Sequence, residues 1–209
     1  QVWFLVLAVH GSMVLAKLFN TISLWKQHPE TRPAWTRFEW PVAKHLFSDG
    51  FAFSACTLVS GIVEYNVAGW LVGRAGGPGA TAMYGVFVSL TIMQLGFVMM
   101  LSTPTWPAVA EALARGDVPW ARRAARRLYL YGSGFALCSA AGMIALGPWV
   151  FPLWLGKQFA DTPRTLLVCY SAYFVAHVWR HLNHTLVIGT GQGGRLARVQ
   201  FVESALVVL

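Results

Sequence analysis

The chain has 209 residues, of which 56% are hydrophobic and 11% charged, with a net charge of +8. A water-soluble domain carries about 25% charged residues, so there is too little polar surface here to clothe a soluble body of this length. The basic excess is spread over loops between apolar stretches, which argues against a nucleic-acid-binding module and for a membrane protein.

Six stretches, at about 2–25, 49–72, 80–101, 127–148, 164–188 and 195–209, are apolar over most of their length. A bilayer core needs roughly 20 residues of helix to cross it. The expected fold class is therefore an all-α integral membrane protein, a bundle of about six transmembrane helices with the last one truncated. The first stretch lacks a basic leader and carries His10 and Lys17, so it is not a signal peptide. Segment 26–48 is the longest polar one, and Pro29, Pro33 and Pro41 exclude one continuous helix through it. With Trp35, Phe38 and Trp40 at headgroup level, it is expected to be a cytoplasmic interfacial linker between two helical lobes.

Ser48 or Asp49 is placed to cap the next helix. Gly73–Gly79 predicts a short outer turn. The third stretch runs into Thr103-Pro-Thr-Trp-Pro107, expected to be a double-proline break before a short helix, Ala108 to Arg115, with Glu111 and Arg115 at pairing distance. Gly116 ends that helix, and Asp117 caps the next, with Pro119 in its first turn. Gly147–Trp154 is expected to be an aromatic outer loop, the fifth helix to start after Pro163, and Gly189–Gly194 to be a tight inner turn.

The charges set an orientation. Lys26, Arg32, Arg37 and Lys44 lie in one loop, Arg115, Arg122, Arg123, Arg126 and Arg127 in a second, and Arg195 and Arg198 in a third. The alternate loops hold only Arg74, Lys157 and Arg164. The positive-inside rule puts the first set in the cytoplasm. The chain starts at Gln1 in one apolar run and stops at Leu209 in another, so the expectation is a piece of a larger polytopic protein. Cys56, Cys138 and Cys169 lie far apart in apolar stretches and are read as free thiols.

The run Pro104-Thr-Trp-Pro-Ala-Val-Ala-Glu-Ala-Leu-Ala-Arg-Gly-Asp117, with Trp120-Ala-Arg-Arg-Ala-Ala-Arg-Arg127 behind it, resembles a cytoplasmic segment of bacterial polysaccharide flippases. These are the Wzx-like exporters of the multidrug/oligosaccharidyl-lipid/polysaccharide superfamily. Glu64–Gly73, Gly147–Gly156 and the helix end near Gly189 fit the same family, and the resemblance covers about 45–209. It implies a two-lobed transporter of 12 or more helices, with 1–25 ending the first lobe and 49–209 forming most of the second. The implied activity is passage of an undecaprenyl-diphosphate-linked oligosaccharide across the bacterial cytoplasmic membrane by alternating access, for surface polysaccharides such as O-antigen. Its implied partners are that lipid-linked oligosaccharide, membrane lipids and polysaccharide polymerase machinery, with no cofactor and no covalent chemistry.

The sharpest local feature is His177, Arg180, His181 and His184, whose offsets of 0, 3, 4 and 7 fall on one helix face at about 100° per residue. Ionisable residues inside a membrane are costly and face a cavity or a partner. One reading is a cationic stripe that binds a diphosphate, with Arg180 as the permanent charge and Lys17, seven residues from His10, on an opposite wall. The plainer reading pairs Arg180 with Glu64 or Glu203, leaves the histidines as satisfied core donors, and lets Lys17 snorkel. His177 and His181 have metal-ligand spacing, but the neighbouring Arg180 repels a cation, so no metal is expected.

Glu64 shares a face with Thr57 and Ser60 and is either a proton or sodium coupling site or a partner for Arg180. Tyr84 and Gln94 are weaker candidates for sugar contact. Arg122, Arg123, Arg126 and Arg127 would either gather anionic lipid headgroups on the cytoplasmic side or only anchor the topology.

Three rivals stand beside the flippase. A multidrug or metabolite exporter for organic cations needs net acid and aromatic rings, whereas these stretches hold more base than acid. A membrane transferase needs a carboxylate pair near an outer loop, where only Asp161 lies. A scaffold without transport would tolerate apolar replacements of Arg180 and His181. Gly189-x-Gly191-x-x-Gly194 follows a helix rather than a strand and so is no dinucleotide fingerprint, and Asn183-His-Thr185 lies inside an apolar helix.

Overall fold

The apolar runs fold as helices, and every described element is helical. A computed structural model describes residues 2–34, 38–156, 159 and 162–208. Among them are α1 (Val2–Gln27), α2 (Trp40–Gly61), a π-helical turn (Ile62–Val67), α3 (Ala68–Ala114), α4 (Val118–Leu155), α5 (Arg164–Gly189) and α6 (Gly193–Val208). Among the described residues, two spans, Ile62–Ala114 and Val118–Leu155, are long and apolar enough to cross a membrane, against the six expected. Trp35, Arg37, Lys157 and Asp161 lie outside the described residues, as do the side chains of Asp49, Cys56, Thr57 and Ser60.

The chain divides into two units, Gln1–Ser48 and Asp49–Leu209. In the first, α1 ends in a tight 3-10 turn at Pro29–Thr31. The Arg32 Nε–H donates to the Trp25 carbonyl at 3.0 Å, which folds the turn back on the helix end. Pro41 sits in the first turn of α2, where its fixed φ suits a helix start and its missing N–H costs nothing. The helix therefore begins at Trp40, and Ser48 and Asp49 lie within it rather than capping it.

In the second unit, α3 folds back on itself at Gly77, whose φ of 74° and ψ of −169° leave the helical region. Only glycine adopts that φ without strain. The two arms pack closely enough that a Cβ on Gly73 would lie 2.7 Å from Thr81 Oγ1. The outer turn expected over Gly73–Gly79 is thus a helical hairpin with its tip at Gly77-Pro78.

Neither proline pair breaks its helix. Pro104 and Pro107 lie inside α3, and Pro148 and Pro152 inside α4. An interior proline removes one donor and crowds the carbonyl one turn back, yet both helices run on through their prolines. Thr105 Oγ1–H donates to the Leu101 carbonyl at 2.6 Å beside the first pair. The expected short helix at Ala108–Arg115 is the end of α3, and the expected loop at Gly147–Trp154 is the end of α4. Glu111 and Arg115 do pair. Gly116 turns the chain at φ 77°, and Asp117 Oδ1 accepts from the Trp120 N–H at 3.0 Å to cap α4.

The second arm of α3 packs with α4 and α5 around two apolar clusters. One joins Phe87, Leu90, Phe151, Leu167 and Tyr170, and the other Val98, Leu128, Phe174, Val178 and Leu182. Gly132 allows α4 to reach α5, because a Cβ there would lie 2.8 Å from Leu182 Cδ1. Polar pairs cross the same interfaces: Thr91 with the Tyr170 hydroxyl at 3.1 Å, buried, and the Tyr129 hydroxyl donating to Asn183 Oδ1 at 2.6 Å, half-buried. The outward faces stay apolar, with Leu153 at 89%, Met100 at 75% and Leu130 at 67% exposure.

Candidate functional site

A cavity of about 580 Å³ opens between the π-helical turn, α3, α5 and α6. Its polar lining includes Glu64, Tyr84, Tyr173, His177, Arg180 and Glu203, with the hydroxyls of Thr91 and Tyr170. On α5 the lining residues Leu166, Tyr170, Tyr173, His177 and Arg180 recur at three- and four-residue spacing, one face of a helix.

Glu64 is the hub. Its Oε2 accepts from an Arg180 Nη–H at 2.7 Å, and its Oε1 accepts from the Tyr173 hydroxyl at 2.9 Å. His177 Nδ1 lies 2.9 Å from the same Oε1. The other Arg180 nitrogen donates to Glu203 Oε2 at 3.3 Å. The Tyr84 hydroxyl donates to the Glu64 carbonyl at 3.0 Å. Glu64 sits in the π-helical turn, where the Ala68 N–H reaches five residues back to the Val63 carbonyl. Such turns widen the helix by one residue and are frequent at functional sites.

The four cationic candidates of α5 do not share one environment. His177 and Arg180 enter the Glu64 cavity. His181 Nε2 instead pairs with the Ser102 hydroxyl of α3 at 2.9 Å. His184 Nδ1 lies 3.4 Å from Gln200 Nε2 on α6. The expected cationic stripe is thus divided, and its permanent charge is already held between two carboxylates. Lys17 belongs to the first unit, on an exposed part of α1, where its carbonyl accepts from Thr21 Oγ1–H at 2.9 Å. Gln94 is half-buried on α3 and is not part of the cavity lining.

Tyr173 is a site residue that the sequence reading does not single out, although it lies four residues before His177 on the same face. The expected stripe runs towards His184, whereas the cavity runs the other way, towards Leu166. The tyrosines at 170 and 173, spaced with His177, were the available signal.

Arg122, Arg123, Arg126 and Arg127 are all exposed on the first turns of α4. Arg123 and Arg127 alone of the four line a groove of about 480 Å³, with Trp120 and Tyr131 from α4 and Pro104 and Ala108 from α3. The glycines at 189–194 serve a turn. A Cβ on Gly189 would lie 3.1 Å from the Trp106 carbonyl, and Gly191 takes φ 76°. No family model, curated protein or solved structure matches this chain.

Proposed function

We propose that this chain forms part of a polytopic membrane transporter that moves a lipid-diphosphate-linked oligosaccharide across the bacterial cytoplasmic membrane by alternating access. The observation that carries the membrane part is the outward face of the helices. Side chains such as Met100, Leu130 and Leu153 are largely uncovered along two long apolar spans, a surface that suits lipid and not water. The substrate class comes from the resemblance of the Pro104–Arg127 segment to the polysaccharide flippases, which also implies the further lobe, whereas the six spans are read from the apolar stretches.

In this reading the Glu64 cavity is the polar centre of the path. Arg180 binds a diphosphate only by giving up a carboxylate, since Glu64 and Glu203 hold its guanidinium. Substrate then replaces Glu64, which keeps Tyr173 and His177 as partners. Exchange of partners at Arg180 supplies two arrangements of α5 against the π-helical turn, which alternating access requires.

One observation favours a second reading. Two carboxylates face one permanent cation, and Tyr84, Phe87, Tyr170 and Tyr173 ring the cavity. Net acid with aromatic rings suits an organic cation, so an exporter of such compounds is the rival. Export of surface polysaccharide by the full-length protein carrying Arg180→Ala, at verified membrane abundance, separates the two. Loss of export supports the diphosphate path. Normal export, together with faster accumulation of a cationic dye in cells carrying Glu64→Gln, assigns the cavity to organic cations.

A further inference from the structure

The α3–α4 groove differs from the Glu64 cavity in one respect. Among the described residues, no carboxylate pairs with Arg123 or Arg127. The two arginines are one helical turn apart, so their guanidinium groups can converge on one anion. Trp120 and Tyr131 continue the same face above and below them. Aromatic rings of this kind favour the membrane–water boundary. The opposite wall, with Leu101, Pro104 and Ala108, is mostly apolar, and the Thr105 hydroxyl on it is taken up by the Leu101 carbonyl. Arg122 and Arg126 precede each of these arginines by one residue, about 100° round the helix, and do not line the groove.

We propose that this groove holds one anionic phospholipid of the cytoplasmic leaflet, with its phosphate between Arg123 and Arg127 and an acyl chain against the wall containing Pro104 and Ala108. Arg–phosphate contacts are charge-assisted and often bidentate. The apolar wall selects a lipid over free phosphate, because Leu101 and Tyr131, which line the groove, are themselves exposed on the outer face. Arg122 and Arg126 contribute only diffuse charge. The site rests on the membrane reading above, but not on the identity of the transported substrate.

The test is native mass spectrometry of the purified full-length protein, delipidated in detergent and titrated with phosphatidylglycerol or phosphatidylcholine. One phosphatidylglycerol binds tightly to the unaltered protein. Arg123→Ala/Arg127→Ala weakens that binding by about tenfold or more, while Arg122→Ala/Arg126→Ala changes it less than about twofold. Ala108→Phe fills the groove without touching charge and also removes the bound lipid. Equal loss from both arginine pairs overturns the site in favour of general surface charge. Lipid retained by Ala108→Phe, or displaced by millimolar inorganic phosphate, overturns the seated acyl chain. Release of the full-length protein from membranes by alkaline carbonate would instead defeat the membrane reading itself.

Discussion

Two basic regions of this chain look alike in sequence and differ in what surrounds them. On α5, Arg180 is fixed between Glu64 at 2.7 Å and Glu203 at 3.3 Å. On α4, Arg122, Arg123, Arg126 and Arg127 are exposed, with no carboxylate paired to them among the described residues. A half-buried cation without a counter-ion is costly, whereas a cation at a helix entry keeps its solvent. The first region is therefore a closed charge network, and Arg180 would have to release a carboxylate before it could bind an anion. The second is open, with its guanidinium groups unengaged by carboxylates among the described residues.

The largest effect that can break this comparison comes from Arg180→Ala. It leaves Glu64 without its cation and should lower stability by about 2–4 kcal/mol, below the fully buried range because both groups keep some solvent. Thermal unfolding in detergent reads this as a clear fall in Tm. A fall no larger than that of Arg126→Ala would erase the distinction between the regions. Gly132→Val should cost about 1–3 kcal/mol by overpacking. The added methyl groups meet Leu182, so the variant also tests whether packing sets the rotation of α5. Glu203→Gln should cost about 1 kcal/mol or less, since its contact is longer and its side chain more exposed. At the small end, Arg122→Ala and Arg126→Ala should each stay within about 0.5 kcal/mol of the unaltered protein.

The helical class was legible from the apolar runs, and local chemistry marked several boundaries. Asp117 caps α4, Pro163 precedes α5, and the glycines near 190 make the last turn. The Pro104–Pro107 pair misled, as did the aromatic run at Gly147–Trp154, because long helices held by packing run on through Pro104, Pro107, Pro148 and Pro152. The π-helical turn at Glu64 has no sequence signature, since it is fixed by tertiary contacts such as the Tyr84 hydroxyl.

The divided stripe has a geometric cause. His177 and Arg180 lie about 60° apart on the helix wheel, and Arg180 and His181 about 100° apart. An arc that wide meets more than one neighbour. Spacing alone identified the face, but the packing of Leu182 against Gly132 decides which residue meets Glu64 and which meets Ser102.

The Glu64–Arg180 pair offers the most direct test of whether Arg180 serves substrate as well as structure. The measurement is polysaccharide export by the full-length protein carrying Glu64→Gln/Arg180→Met, alongside Tm and membrane abundance, compared with each single variant. Removing both charges together relieves the unpaired partner, so stability recovers relative to Arg180→Ala. The expected result is recovered stability with export still lost, because the diphosphate has no guanidinium to bind. Export that returns with stability would show that the pair is structural and that substrate passes without Arg180.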